Sequence, residues 1–294
     1  VKPLTLCLMT GKGHAFLSDI VDAYGHLIEE VIVGIDATLD NDHSQDLANL
    51  CDARGLSWRF RAAANAQPIR SPYVMAVSWR WMIDHPETGL IVFHDSLLPR
   101  YRGFNPLVTA LINGDAETGV TALLGAKEYD SGDILAQSSV SLTYPVTIAS
   151  AIDLLRSAYR VCAVHVLESI DAGRPLVGQA QDETGASYSL WRDEDDYRID
   201  WSWPAERIAR AVDALGSPYK GASTRIGDTF ARVHKARAMP DVEIANRTPG
   251  KVIRILDGCP VVVCGEGLLH VRELVREDTG ASLLPLAQFR TRFA

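Results

Sequence analysis

The feature that most constrains this chain is the recurrence of short, continuously apolar runs separated by helix-length segments. Leu4–Met9, Val31–Ile35, Tyr73–Ser78 and Leu90–Phe93 are four to six residues long and mostly aliphatic or β-branched, as strands buried on both faces are. The first is followed by a Gly11/Gly13 turn and a helical stretch to about Tyr24, where Gly25 can end it. A second helix has Leu47, Leu50 and Cys51 on one face, and a short strand lies near Trp58–Phe60. Asn105-Pro106 reads as the N-cap and first position of a helix through about Ile112, stopped at Asn113-Gly114. Strands follow at Val120–Leu124 and Ser138–Leu142, then a long helical period over Ile148–Ile170. Strands alternating with helices specify an α/β fold with a doubly wound parallel, Rossmann-like sheet.

The pattern changes near residue 183. Residues 183–200 are polar, with Arg192-Asp193-Glu194-Asp195-Asp196 at their centre. One helix follows, Ala205–Leu215, closed by Gly216-Ser217-Pro218. The rest is short β-like runs (222–226, 230–234, 252–256, 261–264, 268–274) separated by turns such as Asp257-Gly258. This predicts a small β-barrel-like domain of OB type. The expected organisation is an α/β domain over 1–182, a linker over 183–203 and a β-rich domain over 204–294.

A chain of 294 residues can bury the cores this requires. Its net charge of −8 argues against a nucleic-acid partner, because phosphate neutralisation needs a basic surface. No run approaches 18 apolar residues, so no membrane span is expected, and the strand-like start is too brief for a signal-peptide core. The five cysteines form no C-x-x-C, and Cys259 and Cys264 have neither zinc-ligand nor redox-pair spacing. Free thiols in a cytoplasmic protein are expected. The histidines outside the segment below are dispersed, so no metal site is expected. Thr10-Gly11-Lys12-Gly13-His14 lacks both phosphate-loop patterns and reads as a strand–helix turn.

The chemistry concentrates between Leu90 and Gln137. The strand Leu90–Phe93 delivers His94 at its carboxyl end, where open α/β sheets bind ligands. His94-Asp95-Ser96-Leu97-Leu98-Pro99-Arg100-Tyr101-Arg102-Gly103 forms a loop, and Asp130 lies in a turn after the next apolar strand. A carboxylate beside an imidazole fixes its tautomer and favours its charged form, as a proton shuttle requires.

Three motifs in order carry a family resemblance: His94-x-Ser96-Leu97-Leu98-Pro99-x-Tyr101-Arg102-Gly103, Ile112-Asn113-Gly114-Asp115-x-Glu117-Thr118-Gly119-Val120-Thr121, and Asp130-x-Gly132-Asp133-Ile134. The chain resembles the formyltetrahydrofolate-dependent formyltransferases, closely over about 78–137. A fainter likeness at Tyr197–Trp201 and Pro218–Ala222 is similar to the linker and small domain of the longer members. The resemblance implies attack of a primary amine on the formyl carbon of N10-formyltetrahydrofolate, with His94 and Asp130 as the catalytic pair. It places Ser78, Trp79, Arg80, Trp81 and Met82 along the pterin, with Ala126, Lys127, Glu128 and Tyr129 at its edge. The alternative for Trp79 and Trp81 is simple core packing. Arg100 and Arg102 are candidates for an anionic acceptor or the folate glutamate, or a solvated loop.

One position departs from the pattern. The family has Asn-x-His and this chain has Val92-Phe93-His94, so an amide that would hold the oxyanion is replaced by an aliphatic side chain. Ser96, Ser78, a protonated His94 or a backbone amide could substitute, or the protein could be a catalytically weak folate binder. The tRNA-formylating branch carries a basic insertion where this chain has the acidic stretch 36–43, and the purine branch lacks such a C-terminal domain. By resemblance the acceptor is a nucleotide-linked amino sugar and the assembly a homodimer. The alternative acceptor is another small amine, such as a siderophore or antibiotic precursor.

Overall fold

A computed structural model describes residues 2–37, 39, 41–61 and 68–294. The chain divides into two compact units, one of residues 1–106, 117–141 and 152–190, the other of 107–116, 142–151 and 191–294.

The first unit is built on a seven-stranded sheet. Its strands are β1 (Leu4–Leu8), β2 (Ile28–Val33), β3 (Trp58–Phe60), β4 (Tyr73–Val77), β5 (Leu90–His94), β7 (Glu117–Leu124) and β8 (Ile134–Ser141), in the order β3-β2-β1-β4-β5-β7-β8. A two-residue strand, β6 (Arg102–Gly103), pairs outside it with β9 (Tyr188–Ser189). The helices are α1 (Thr10–Tyr24), α2 (Ser44–Ala53), α3 (Pro106–Asn113), α4 (Ile148–Asp171) and α5 (Ala205–Ala214), of which α3 and α4 contribute to both units and α5 to the second. All five residues of β1 are buried, as a central strand covered on both faces must be. Phe93 packs edge-on against Phe16 of α1 and stacks on Tyr159 of α4, with centroids 5.0 and 5.9 Å apart.

The five strands from β3 to β5 are parallel, as expected, but the last two are joined to them by antiparallel pairing, with β7 reversed. β7 runs antiparallel to β5, and β8 antiparallel to β7. The second reversal comes from connection length: Gly125–Asp133 is too short for a helical crossover, so β7 and β8 form a hairpin. β8 also begins four residues before the expected strand. The hairpin connection leaves the sheet beside Leu90, whose carbonyl accepts from the Gly125 amide at 2.7 Å.

The second unit contains α5 and the antiparallel strands β10 (Ala222–Ile226), β11 (Thr229–Met239), β12 (Val252–Leu256), β13 (Cys259–Val263) and β14 (Leu268–Arg276), in the order β10-β11-β14-β13-β12. Residues 291–294 close this sheet on itself. Arg225 and Ala294 exchange amide–carbonyl bonds of 2.8 and 2.9 Å, while Phe293 and Thr291 bond Gly250 and Val252. Buried Phe293 meets Trp201 edge-on at 5.3 Å. By bridging β10 to the start of β12, these residues give the barrel-like domain expected.

Among the described residues no helix is long and apolar enough to cross a membrane. All five cysteines are free, and burial pushes the Cys7 and Cys264 thiols up to about 12.

Candidate active site

The end of β5 and the β7–β8 connection meet at His94. Period-two alternation puts Val92 and His94 on one face of β5, opposite Phe93. Only 7 % of His94 is exposed. Its Nε2 lies 2.7 Å from the Tyr101 carbonyl oxygen and its Nδ1 lies 3.5 Å from Oδ2 of Asp130. A carbonyl oxygen only accepts, so Nε2 carries a proton and the neutral ring presents a bare Nδ1 to Asp130. Two acceptors facing each other repel unless a proton sits between them. The gap between them is where a transferred proton can be held.

The backbone is shaped to make these contacts. Ser78, Tyr101, Asn105 and Asp130 have φ of +53°, +59°, +50° and +52°. A non-glycine residue in this region costs on the order of 1–3 kcal/mol, and such residues cluster at functional sites. The left-handed turn at Tyr101 accompanies a carbonyl aimed at His94. Asp130 Oδ2 accepts from the Gly103 amide at 2.8 Å. The Asp130 turn is fastened from behind by Gln181, whose Nε2 donates to the carbonyls of Asp130 and Gly132 at 2.7 and 2.8 Å.

The glycine of the Asp-x-Gly-Asp motif has a steric reason: a Cβ on Gly132 would lie 1.9 Å from the Leu124 carbonyl oxygen. Thr121, paired with His94 across the sheet, donates to the Ser96 carbonyl at 2.6 Å and accepts from the Leu98 amide at 3.2 Å. It fixes the loop after His94.

The other expected residues fall into three groups. Ser96 is buried and its hydroxyl donates to the Arg100 carbonyl at 2.6 Å. Arg102 is also buried, bound to both Glu183 oxygens and to Gln181, so its guanidinium braces the loop instead of facing a ligand. Arg100 is exposed and stacks over Tyr101.

At the end of β4, Trp81 lies under Arg61 and Arg80, at 4.1 and 5.3 Å from its centroid, and meets Trp79 edge-on at 5.0 Å. Arg80 also pairs with Asp36 at 2.8 Å. Trp79 packs on the apolar cluster of Cys7, Ile32, Val74 and Ala76, and its buried Nε1 has no hydrogen-bond partner among the described residues. These tryptophans form an aromatic–cationic cluster, and Met82 beyond them is 78 % exposed. Lys127, Glu128 and Tyr129 are exposed, Ala126 half-buried; Tyr129 lies 5.8 Å from exposed Phe104.

Sequence reasoning missed four contributors: the Tyr101 carbonyl, the Gly103 amide, Gln181, and a polar network of Lys12, Asp95 and Tyr159 on the far side of β5. The first two act through backbone, which residue identity does not report. Gln181 lies 51 residues from the turn that it holds. Within the acidic stretch 36–43, Thr38 and Asp40 lie outside the described residues.

Residues 73–158 match the family described as Formyl transferase, and residues 192–283 match Formyl transferase, C-terminal domain. Methionyl-tRNA formyltransferase of Thiobacillus denitrificans is 36% identical over 208 residues, covering 71% of this chain and 65% of its own. The chain thus spans slightly under two thirds of that relative's length. The enzyme of the same name from Ralstonia nicotianae is 31% identical, over 78% of this chain and 70% of its own. An N-formyltransferase from Helicobacter canadensis, solved with folinic acid and dTDP-3-aminofucose, shares the fold at a TM-score of 0.68 and 14% identity, over 92% of this chain and 99% of its own. With both domains matched in order and a relative above 30% identity covered over more than two thirds of its length, the chain belongs to the formyltransferase family, a family of enzymes.

Proposed function

We propose that the protein transfers a formyl group from N10-formyltetrahydrofolate to a primary amine, with His94 and Asp130 as the proton-handling pair. The observation that carries this reading is the 3.5 Å approach of His94 Nδ1 to Asp130 Oδ2 at the carboxyl end of β5. The folate donor fits what lies around the pair. Exposed Tyr129, next to Asp130, and the backbone of 126–129 offer a ring face and an edge. When bound, the donor supplies the formyl carbon and a folate nitrogen as leaving group.

The chain's residues then move protons. As the C–N bond forms, the amine nitrogen becomes acidic and its proton passes to the Asp130–His94 pair, where Nδ1 receives it. Nε2–H stays on the Tyr101 carbonyl throughout, so the ring does not turn. The same proton returns to the leaving nitrogen, and the pair ends as it began. Because Val92 has no hydrogen bond to give, the charged Nδ1–H of His94 also serves as the donor to the oxyanion.

The acceptor we favour is a nucleotide-linked amino sugar, with another small amine as the alternative. A net charge of −8 supports this choice over a polynucleotide. So does Asp42: burial works against its ionisation, but the Ser44 and Asp36 amides hold its carboxyl below the ordinary carboxylate range. Methionyl-tRNA is the second reading, favoured by the names of the sequence relatives.

The test is incubation with N10-formyltetrahydrofolate and, in parallel, nucleotide-linked amino sugars, small amines and methionyl-tRNA, reading product mass. One added formyl group, lost on His94→Ala, is expected for an amino sugar. Formylation of methionyl-tRNA alone would select the second reading. Donor bound but never consumed with any amine would leave a folate-binding protein without turnover.

A further inference from the structure

The loop after β5 holds a charged network that the proton-handling pair does not use. Asp95 follows His94 and, by strand alternation, its side chain leaves the opposite face of the sheet. There one carboxylate oxygen pairs with the Lys12 ammonium, from the first turn of α1, and the other accepts the Tyr159 hydroxyl of α4. The side chains of Lys12 and Asp95 are only 20% and 11% exposed. Tyr159 is buried and stacks on Phe93 at 5.9 Å, itself adjacent to His94.

A buried ion pair is an expensive way to fill this space, because desolvation cancels most of the attraction and well-packed apolar side chains do as well or better. What apolar packing lacks is direction. Two charge-assisted bonds at fixed angles define where the Asp95 backbone must lie, and the Asp95 amide is covalently next to His94. Burial alone would raise the Asp95 carboxyl, yet the Lys12 charge and the bonds from Lys12 and Tyr159 outweigh it and hold the group below the ordinary range. Burial and the neighbouring carboxylate push the Tyr159 phenol well above its usual value. Asp95 and Tyr159 therefore remain carboxylate and phenol across the working range.

We propose that Asp95 is the positioning residue for His94. Clamped between Lys12 and Tyr159, it ties the carboxyl end of β5 to α1 and α4 and so fixes the imidazole against the Tyr101 carbonyl and Asp130. The expected kinetic effect rests on the formyl-transfer reading above; the expected effect on the imidazole does not.

The deciding variant is the double substitution Lys12→Met/Asp95→Leu, which removes both charges and keeps the volume apolar. Thermal stability should equal or exceed wild type. Turnover should fall about tenfold or more, while KM for the folate donor stays within about twofold, because only the geometry at His94 has loosened. In nitrogen-15 NMR the hydrogen-bonded Nε2–H proton of His94, assigned by its absence in His94→Gln, should be slowly exchanging in wild type and lost in the double variant. Tyr159→Phe, which removes one of the two bonds and no volume to speak of, should accelerate that exchange and lower turnover about threefold.

A folded double variant with the protected imidazole proton and wild-type turnover would overturn the proposal. If the double variant does not fold, Tyr159→Phe decides, and unchanged exchange of the imidazole proton overturns it. The NMR readout needs no substrate, so absence of formyl transfer in wild type would refute the assigned reaction while leaving the positioning role open to support or rejection.

Discussion

Gly132→Ala tests whether the site depends on the steric fit of the Asp130 turn. The backbone at Gly132 is not left-handed, so alanine meets no conformational barrier of its own. The obstacle is the Leu124 carbonyl, whose oxygen and carbon would lie 1.9 and 2.9 Å from the new methyl group. Such contacts essentially never fall below 3.0 Å, so the turn must retreat by at least roughly 1 Å. Overpacking of this kind costs about 1–3 kcal/mol of stability. The retreat also strains the Gln181 bonds to Asp130 and Gly132 and lengthens the separation from His94 Nδ1.

A misplacement of about 1 Å at a catalytic group is worth on the order of 100-fold in rate. Urea unfolding should show the variant folded, and formyl transfer at saturating donor should drop by about two orders of magnitude. Gly173→Ala is the control: its φ is +64° with nothing within 4 Å of the added carbon, so about 1 kcal/mol of stability is lost with transfer unaffected. A folded Gly132→Ala enzyme turning over within threefold of wild type would refute the reasoning.

Three further outcomes are expected. Burial pushes the Asp213 carboxyl up to about 6, so its charged form destabilises the folded chain above that pH, and stability from this group rises as pH falls from about 7 towards 4. Asp213→Asn should stabilise the protein by about 1 kcal/mol at pH 7, after allowing for solvent screening, and by nothing at pH 4; denaturant titrations at the two pH values check this. Phe293→Ala should cost about 3 kcal/mol by the same measurement, since the ring is fully buried where the barrel closes. Val92→Asn should raise turnover about tenfold if an oxyanion donor is limiting, and steady-state kinetics showing an equal or lower rate would discount that role.

Much of the fold is legible in the sequence because continuous apolar runs such as β1, β4 and β5 have no other stable placement. Strand direction is less legible. The β7–β8 reversal follows from a connection of nine residues, Gly125–Asp133, a length signal that alternation alone overrides. At the site, His94 and Asp130 stand out by residue type and motif, and the structure brings them together. Their supports do not stand out. Tyr101 and Gly103 contribute peptide groups, Gln181 acts from 51 residues away, and Lys12, Asp95 and Tyr159 look individually like solvated or core residues. Arg102 shows the reverse case: a motif arginine that reads as a ligand contact is consumed by Glu183 and Gln181.

The segment from Gln181 to Ser189 works as a strap. Gln181 holds the Asp130 turn, Glu183 grips Arg102, the Ser187 hydroxyl takes the Tyr101 amide, and Ser189 accepts from Phe104. The two-residue β6–β9 ladder and the Ser187 amide on the Pro99 carbonyl add to these bonds. Peeling this stretch away would leave the seven-stranded sheet hydrogen-bonded throughout, yet release both the carbonyl under His94 and the turn bearing Asp130. On gentle warming the molecule should fall silent before it melts, and amides of residues 101–104 should exchange with solvent well ahead of those in β1 and β4.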